Sequence, residues 1–296
     1  GGGIGALATC PLEVAKTRLQ AANNKEHLTS AKKGSFRFGT GMWFTMRDIA
    51  KEEGTLGLWR GIGPTLIGVL PARASWFLTY QYSKRHLADK LQVNDSSLHF
   101  ISAVIAGFAV STITSPIFMV KTRMQLQTSS QLSNLKYKNS VDCCRRIFKE
   151  EGIRGFYKGL TASYVGISES SLQMVLYEKF RYLAKSKIYQ SNPDAYDSLE
   201  DATLGPVAQI AVGSIAKLLA SAATYPHEVL RTRLREHRQG DPIKYTGVFQ
   251  GMKVVAKEEG LAGLYGGMAA HLFRVVPNAA IVFFVYEATM SFFRKQ

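Results

Sequence analysis

The sequence predicts an all-α integral membrane protein with six membrane-spanning helices arranged in three similar repeats. Three observations predict this fold: long stretches almost without charge, landmarks that occur three times in the same order, and positive charge concentrated between the stretches. The 296 residues carry a formal net charge of +15 and are 46% hydrophobic. This composition excludes a disordered chain, and 3 cysteines are too few for a disulfide scaffold. The charge surplus indicates an anionic partner, which could be nucleic acid, lipid or a phosphorylated solute.

Six stretches of the chain carry at most one charged residue each. They are Gly1 to Leu12, Gly61 to Ser83, Leu98 to Val120, Gly159 to Tyr177, Ala202 to His227 and Gly266 to Tyr286. A bilayer core needs about 20 helical residues, and a soluble helix of that length would show a charged face. We therefore expect six membrane helices rather than the buried helices of a large soluble protein. The first stretch is short, and we expect that the chain begins inside this helix.

Small and polar residues are frequent in these stretches, which explains a mean hydropathy of only -0.04. The segment from Thr203 to Lys217 is typical, with several Gly, Ala and Ser residues. Small residues allow helices to approach closely in a membrane, and polar residues suit a wall that faces water. The sequence therefore predicts helices that surround an aqueous cavity.

Three landmarks recur along the chain: a proline followed by a basic residue, a Lys-Glu-Glu-Gly sequence, and a tyrosine followed by Glu or Gln. They begin at Pro11, Lys51 and Tyr80, then at Pro116, Lys149 and Tyr177, and finally at Pro226, Lys257 and Tyr286. Three landmarks in one order, found three times, predict a threefold repeat.

The proline landmark resembles the Pro-x-[Asp/Glu]-x-x-[Lys/Arg] motif of the mitochondrial carrier family, and the resemblance covers the whole chain. It implies repeats over 1–90, 91–190 and 191–296 within one transport domain. Each repeat would hold two tilted membrane helices and a short matrix-side helix, with pseudo-threefold symmetry around one central substrate site. Basic residues accumulate between Lys16 and Arg60, so this connection is expected to face the matrix. The implied location is the mitochondrial inner membrane, which the chain would cross several times.

Within this family the chain is most similar to the pyrimidine nucleotide carriers. The segments that indicate it are Thr161 to Glu169, Tyr225 to Glu236 and His271 to Ile281. This resemblance implies exchange of pyrimidine (deoxy)nucleotides of the UTP, CTP and TTP class by alternating access. An NAD carrier or a flavin or folate carrier is the alternative, because these carriers share the missing acid at Phe118, and NAD carriers share Tyr-Pro-His-Glu at 225–228.

Charged residues inside the spans mark the expected substrate site, because an ionisable group in a bilayer costs at least a few kcal/mol. Arg73, Lys217 and Arg274 are expected to bind phosphates. Alignment of the second membrane helix of each repeat places Glu169 and Arg274 within about one helical turn of the same depth. Contact points implied by the resemblance, hydrogen-bonding candidates and a stacking tryptophan complete the set. The predicted substrate site is Gly68, Arg73, Trp76, Gly166, Ile167, Glu169, Gln173, Lys217, Arg274 and Asn278.

The resemblance also implies a gate at each end of the cavity. The matrix gate would contain the ion pairs Glu13–Lys121 and Lys16–Glu228, with Arg231 facing Phe118 in place of an acid. Gln20 and Gln125 would brace these pairs, and Arg235 departs from the glutamine in the third repeat. The predicted cytoplasmic gate is Gln81, Lys84, Glu178, Arg181 and Glu287, with one ion pair between Glu287 and Lys84 and a hydrogen bond between Gln81 and Arg181. Two matrix-side pairs against one predict that the unliganded protein opens to the intermembrane space.

The expected partners, besides the nucleotide, are anionic lipids. Trp59-Arg60-Gly61 and Tyr157-Lys158-Gly159 resemble the cardiolipin sites of the family, where helix N-terminal amides hold lipid phosphates. We expect a monomer with no cofactor, no metal site and no nucleic acid.

Two other classes of protein fit the sequence less well. An enzyme is not indicated, because the 6 histidines form no metal motif and Gly1 to Gly5 is not followed by the Lys-Ser/Thr of a phosphate loop. A soluble nucleic-acid-binding protein would gather its basic residues and exposed aromatics on one face, whereas here they alternate with apolar stretches.

Overall fold

The computed structural model describes residues 2–21, 40–90, 95–127, 137–191, 204–236 and 244–274. Their helices are α1 (Gly2–Gln20), α2 (Thr40–Glu53), α3 (Ile62–Lys90), α4 (Asp95–Leu126), α5 (Ser140–Gly155), α6 (Leu160–Ser191), α7 (Pro206–Thr224), α8 (Pro226–Glu236) and α9 (Val248–Leu264). A 3₁₀ turn covers Thr55–Trp59, and residues 268–274 are helical. The chain forms two compact units, one of Gly1–Tyr164 with Pro226–Gln296 and one of Val165–Tyr225.

The long helices extend beyond the charge-poor stretches from which they were predicted. The stretch Gly61 to Ser83 falls almost entirely within α3, which continues to Lys90, while α6 covers 32 residues. At 1.5 Å per residue, such helices are longer than a hydrocarbon core of about 30 Å, so their ends can carry charge in the interfacial layer. Of the sixth predicted span, the described residues include 268–274, which are helical.

Among the described helices, one is both long enough and apolar enough to cross a membrane by composition: Ser97–Leu126 within α4, with a hydropathy of 1.9. The apolar run Ala208–Thr224 in α7 is shorter. The other long helices hold more polar residues, as the sequence composition of their spans indicates. Several large apolar side chains of α3, including Ile67, Leu70 and Leu78, nevertheless expose two thirds or more of their surface. Such exposed apolar faces are typical of contact with lipid or a partner.

The motif prolines lie at matching positions in the first membrane helix of each repeat. Pro11 and Pro116 lie inside the continuous helices α1 and α4. In the third repeat α7 ends at Thr224 and α8 begins at Pro226, and Tyr225 between them keeps helical backbone angles of φ -50° and ψ -37°. Proline lacks an N–H and its ring clashes with the carbonyl of the fourth preceding residue, which weakens a helix at this point.

The short helices α2, α5 and α9 follow the proline motifs, and α2 and α5 pack on the helices that carry them. Buried Cys10, Val14 and Ile49 join α1 to α2. Met119, Cys143 and Ile147 belong to a buried cluster that joins α4 to α5. The Asn139 side chain caps α5 by accepting a hydrogen bond from the Asp142 backbone N–H at 2.8 Å. A backbone hydrogen bond from Lys138, strengthened by Arg146, holds the pKa of Asp142 below its usual value.

A glycine in each Lys-Glu-Glu-Gly sequence breaks the helical backbone of the short helix: Gly54 directly follows α2, whereas Gly152 and Gly260 form a kink inside α5 and α9. Gly152 has φ 66° and ψ -163°, and Gly260 has φ 68° and ψ -161°. Gly54 has φ 75°. This region of backbone space is essentially restricted to glycine, because any Cβ would be strained there. The threefold occurrence of this glycine therefore follows from the turn it makes.

Candidate functional site

The motif ends of α1, α4 and α8 are joined in a ring by contacts that run from one repeat to the next. Between repeats one and two, Lys121 Nζ donates to Glu13 Oε1 at 2.7 Å. Thr17 Oγ1 donates to Gln125 Oε1 at 2.9 Å, and Arg18 Nε donates to the Gln125 carbonyl at 3.1 Å. The three residues of α1 lie at spacings of one and four, which place Glu13 and Thr17 on one helix face. We call this arrangement the motif ring.

The junction between repeats three and one repeats the same pattern. Lys16 donates to the Glu228 carboxylate. Thr232 Oγ1 donates to Gln20 Oε1 at 2.8 Å, and Arg233 Nε donates to the Gln20 carbonyl at 3.1 Å. The structure thus brings together both ion pairs and both glutamines that the sequence analysis assigned to the matrix gate.

The junction between repeats two and three differs from the other two. Arg123 Nε donates to the Arg235 carbonyl at 3.2 Å, as the equivalent arginines do at the other junctions. Phe118 stands where the other repeats have an acid, and the Lys121 ammonium lies 5.5 Å from the centre of its ring. Arg231 Nη2 instead donates to Glu228 Oε1 at 3.1 Å, on its own helix. This junction therefore has hydrogen bonds and packing but no acid of repeat two.

Glycine allows the backbones to meet closely at every junction of the motif ring. A Cβ on Gly61 would lie 3.2 Å from the carbonyl oxygen of Lys121, and one on Gly267 would lie 3.0 Å from that of Lys16. At the second junction, a Cβ on Gly159 would lie 3.1 Å from the carbonyl oxygen of Arg231. All three glycines have φ near +80°. A larger residue would push away the backbone of the basic residue that it faces.

A second set of ion pairs, which was not predicted from the sequence, ties α1, α4 and α8 to the short helix of the same repeat. Arg123 Nη1 lies 2.6 Å from Glu151 Oε1, and equivalent pairs are Arg18–Glu53 at 2.8 Å and Arg233–Glu259 at 2.7 Å. The signal was present, because an arginine follows each motif proline by seven residues. Burial opposes ionisation of Glu151, but the neighbouring cationic groups of Arg123 and Lys158 outweigh it and hold its pKa below the usual value.

Two residues of the last described helical stretch, 268–274, also reach the motif ring. Lys16 Nζ lies 2.8 Å from His271 Nδ1, and Arg274 Nη1 lies 3.9 Å from Glu13 Oε1. Arg274 was predicted to bind phosphate, and the structure places it beside the Glu13 carboxylate. His271 was not among the predicted site residues. Its spacing of three from Arg274 puts both on one helix face and could have indicated it.

Lys217 and Glu169 form an ion pair in the unit of Val165–Tyr225. Lys217 Nζ donates to Glu169 Oε1 at 2.7 Å, and Ser221 Oγ donates to the same oxygen at 2.6 Å. Lys217 was expected to bind phosphate; in the structure its charge is paired with Glu169, and phosphate binding by Lys217 stays a prediction. Gly166, Ile167 and Gln173 lie half-buried on α6.

The remaining predicted substrate residues are three on α3, namely Gly68, Arg73 and Trp76, together with Asn278. Gly68 allows close helix packing, because a Cβ there would lie 3.1 Å from Ile117 Cγ2. Trp76 stacks on Tyr80 with ring centres 5.0 Å apart and planes 6° apart. Arg73 is exposed. Asn278 lies outside the described residues.

The predicted cytoplasmic gate is described in part. Glu178 and Arg181 lie 3.9 Å apart on α6, both about half exposed. Lys84 Nζ lies 3.3 Å from His99 Nε2, and the Tyr80 hydroxyl hydrogen-bonds His99 Nδ1, so His99 is a residue of this end that the sequence analysis missed. Gln81 is exposed, and its bond to Arg181 stays a prediction. Glu287, the predicted partner of Lys84, lies outside the described residues.

Comparison with known proteins identifies the family behind this threefold ring. A family model described as "Mitochondrial carrier protein" matches residues 1–91, 93–187 and 202–296. The chain belongs to the mitochondrial carrier family. The predicted fold class is confirmed, with α2, α5 and α9 as the short matrix-side helices, and the carrier is a transporter rather than an enzyme.

Relatives of the carrier align over nearly their full lengths. "Mitochondrial carrier protein rim2" of Schizosaccharomyces pombe is 42% identical, over 98% of this chain and 87% of its own. "Mitochondrial pyrimidine nucleotide transporter RIM2" of Saccharomyces cerevisiae is 38% identical, over 97% of this chain and 82% of its own. "Solute carrier family 25 member 33" of Danio rerio is 41% identical, over 97% and 92%.

Proposed function

We propose that this carrier transports pyrimidine nucleotides across the mitochondrial inner membrane by exchange. The observation that carries the proposal is the 38% identity, over 97% of the chain, to a relative named as a mitochondrial pyrimidine nucleotide transporter. The wider resemblance to relatives of 41% and 42% identity supports it. The carrier acts as a multi-pass membrane protein and a monomer, on nucleoside phosphates of the UTP, CTP and TTP class.

The motif ring is the matrix gate in this mechanism. Opening it requires two ion pairs to separate. Lys121 Nζ lies 2.7 Å from Glu13 Oε1, and Lys16 is hydrogen-bonded to Glu228. Alternating access needs one end to close before the other opens. A substrate can drive this change only through a difference in its affinity for the two states. Phosphate binding by Arg274, which lies 3.9 Å from Glu13, supplies such a difference next to the gate.

The base and the phosphates use different parts of the carrier. Arg73 and Arg274 bind phosphates as guanidinium groups, which match phosphate in a bidentate manner. The Lys217–Glu169 pair, neutral as a whole, offers both a donor and an acceptor to the base or the ribose. Anionic lipid, of which cardiolipin is the expected example, binds near Arg60 and Lys158, although these residues also lie 2.8 Å from Glu53 and Glu151.

Exchange in proteoliposomes tests the proposal. Vesicles loaded with UTP or CTP and carrying the purified protein are expected to take up labelled UTP, whereas vesicles loaded with NAD, flavin nucleotide or folate are not. Protein-free vesicles and vesicles without internal substrate are the controls. Exchange of labelled NAD without exchange of UTP would replace the pyrimidine assignment by the alternative within the same family.

A further inference from the structure

Arg235 occupies, in the third repeat, the structural position that Gln20 and Gln125 occupy in the others. Its carbonyl accepts a hydrogen bond from Arg123 Nε at 3.2 Å, while the two glutamine carbonyls accept from arginines at 3.1 Å. A Cβ on Gly159 would lie 3.3 Å from Arg235 Cγ, and one on Gly267 would lie 3.3 Å from Gln20 Cγ. The backbone frame is the same, so only the side chain distinguishes the third position.

The surroundings of the Arg235 guanidinium suit a neutral amide better than a cation. The residue is only 7% exposed. Its Nη1 and Nη2 lie 3.5 Å from the hydroxyls of Thr122 and Ser163, at the limit of hydrogen bonding. Its Nε has no hydrogen-bond partner within the described ranges. A buried charge with such partners is unfavourable, because it has lost its water without gaining an acid.

The acids of the motif ring are already committed to other cations. The position that would supply an acid from repeat two is Phe118. Glu228 attracts Arg235, but it is held by Lys16 and by Arg231, and Arg231 repels Arg235. Within the described residues, the Arg235 guanidinium of the closed ring therefore has no acid of its own, either at its junction or at a neighbouring one.

An unbalanced, buried guanidinium calls for an anion whenever the site becomes accessible. Arginine presents a planar set of donors that fits phosphate oxygens in a bidentate manner. We propose that Arg235 is a phosphate-binding residue at the matrix end of the carrier, where it receives a phosphate group of a nucleotide that enters from that side when the motif ring opens. The inference rests on the proposed function for the identity of the nucleotide.

The site would also bias the transport cycle. Arg235 is poorly partnered while the ring is closed and hydrated or phosphate-bound when it is open. Poor partners in the closed ring and good ones in the open ring both favour opening. A glutamine at this position would favour closure instead, because Gln20 and Gln125 each stabilise the closed ring by accepting a hydrogen bond from a threonine. The third junction is therefore the one from which the ring opens toward an incoming phosphate.

Exchange kinetics measured from each side test the assignment, with wild type, Arg235→Gln and Arg235→Lys in proteoliposomes. Cys144 is exposed on α5, whereas Cys10 and Cys143 are buried, so a membrane-impermeant maleimide reports which molecules have the matrix end outward. For Arg235→Gln we expect the KM for UTP to rise roughly tenfold from the matrix side and to stay unchanged from the other side, the loss expected for one charged hydrogen bond. The matrix-side KM of Arg235→Lys should lie between those of wild type and Arg235→Gln.

Side-independent behaviour would overturn the proposal. If Arg235→Gln leaves both KM values unchanged, or changes both equally, Arg235 is a structural brace only. Inorganic phosphate added on the matrix side distinguishes the sources of the ligand. If phosphate competes with UTP in wild type but not in Arg235→Gln, free phosphate is sufficient for binding at Arg235. If phosphate does not compete in wild type while Arg235→Gln still shifts the KM for UTP, the ligand is the phosphate group of the nucleotide. Failure of wild type to exchange UTP would refute the substrate assignment instead, and the sidedness assay is then run with the nucleotide that does exchange.

Discussion

At the scale of single residues, the pairing of Lys217 with Glu169 changes the meaning of both charges. Each stands out in the sequence because no other repeat has a charge at its position. Spacing could not reveal that they meet, since they lie 48 residues apart on different helices. Ser221 adds a second donor to the same carboxylate oxygen. The pair therefore contributes hydrogen-bonding groups but no net charge to the carrier.

A double-mutant cycle tests this pair. Lys217→Ala removes the cation that pairs with Glu169, and Glu169→Gln removes the acid that pairs with Lys217, so each single change should lower the thermal midpoint. The double variant should lose less than the sum, with a coupling of about 0.5–3 kcal/mol. Thermal unfolding of the four proteins in one detergent measures the coupling. Additive losses would show that the pair contributes nothing to stability.

At the scale of elements, the glycine that follows each Lys-Glu-Glu breaks the helical backbone of the short helix, after α2 in the first repeat and at a kink inside α5 and α9 in the others. Gly152 combines φ 66° with ψ -163°, and no atom lies within 4 Å of a Cβ built on it. Space is therefore not the constraint at this position, and backbone conformation is. The backbone turn at this glycine directs the chain into the short segment that leads to the next long helix.

Replacement of this glycine gives a clean measure of that conformational requirement. Gly152→Ala should lower the free energy of unfolding by about 1–3 kcal/mol, because alanine is strained in this backbone region. Gly63→Ala is the matched control: Gly63 lies in α3 and its Cβ would meet Ser140 Oγ at 3.9 Å, an ordinary contact. Alanine favours a helix over glycine by about 1 kcal/mol, so the control should not lose stability. Equal thermal midpoints for the two variants would contradict the turn argument.

The sequence predicted elements and motifs better than helix ends and side-chain partners. Repetition revealed the proline motifs, and Lys121 and Glu228 lie against the partners expected from the resemblance. Helix ends were missed because charged residues such as Lys90 remain helical beyond the apolar span. The partners of Arg274 and Lys217 were missed because a single sequence contains no information on which helices face each other. His99 was missed because it lies outside every landmark.

At the scale of the whole molecule, the three junctions of the motif ring are unequal by one acid. Two junctions join neighbouring repeats by an ion pair and a threonine–glutamine bond. The third has Phe118 and Arg235 in place of the acid and the glutamine. In the proposed mechanism the motif ring is the matrix gate, and its closure depends on all three junctions, so the missing acid weakens closure at one of them. Restoring that part should make opening harder and slow exchange.

Phe118→Glu restores the missing acid at the position equivalent to Glu13 and Glu228. By threefold equivalence the new carboxylate should take Arg231 from Glu228, while Lys16 keeps Glu228. A charged hydrogen bond contributes about 1.5–3 kcal/mol, so UTP exchange should fall roughly tenfold if ring opening limits the rate, and the thermal midpoint should rise. Phe118→Leu removes the ring stacked under Lys121 without adding charge and serves as the control. Unchanged exchange by Phe118→Glu, together with a raised thermal midpoint, would mean that opening of the motif ring does not limit transport.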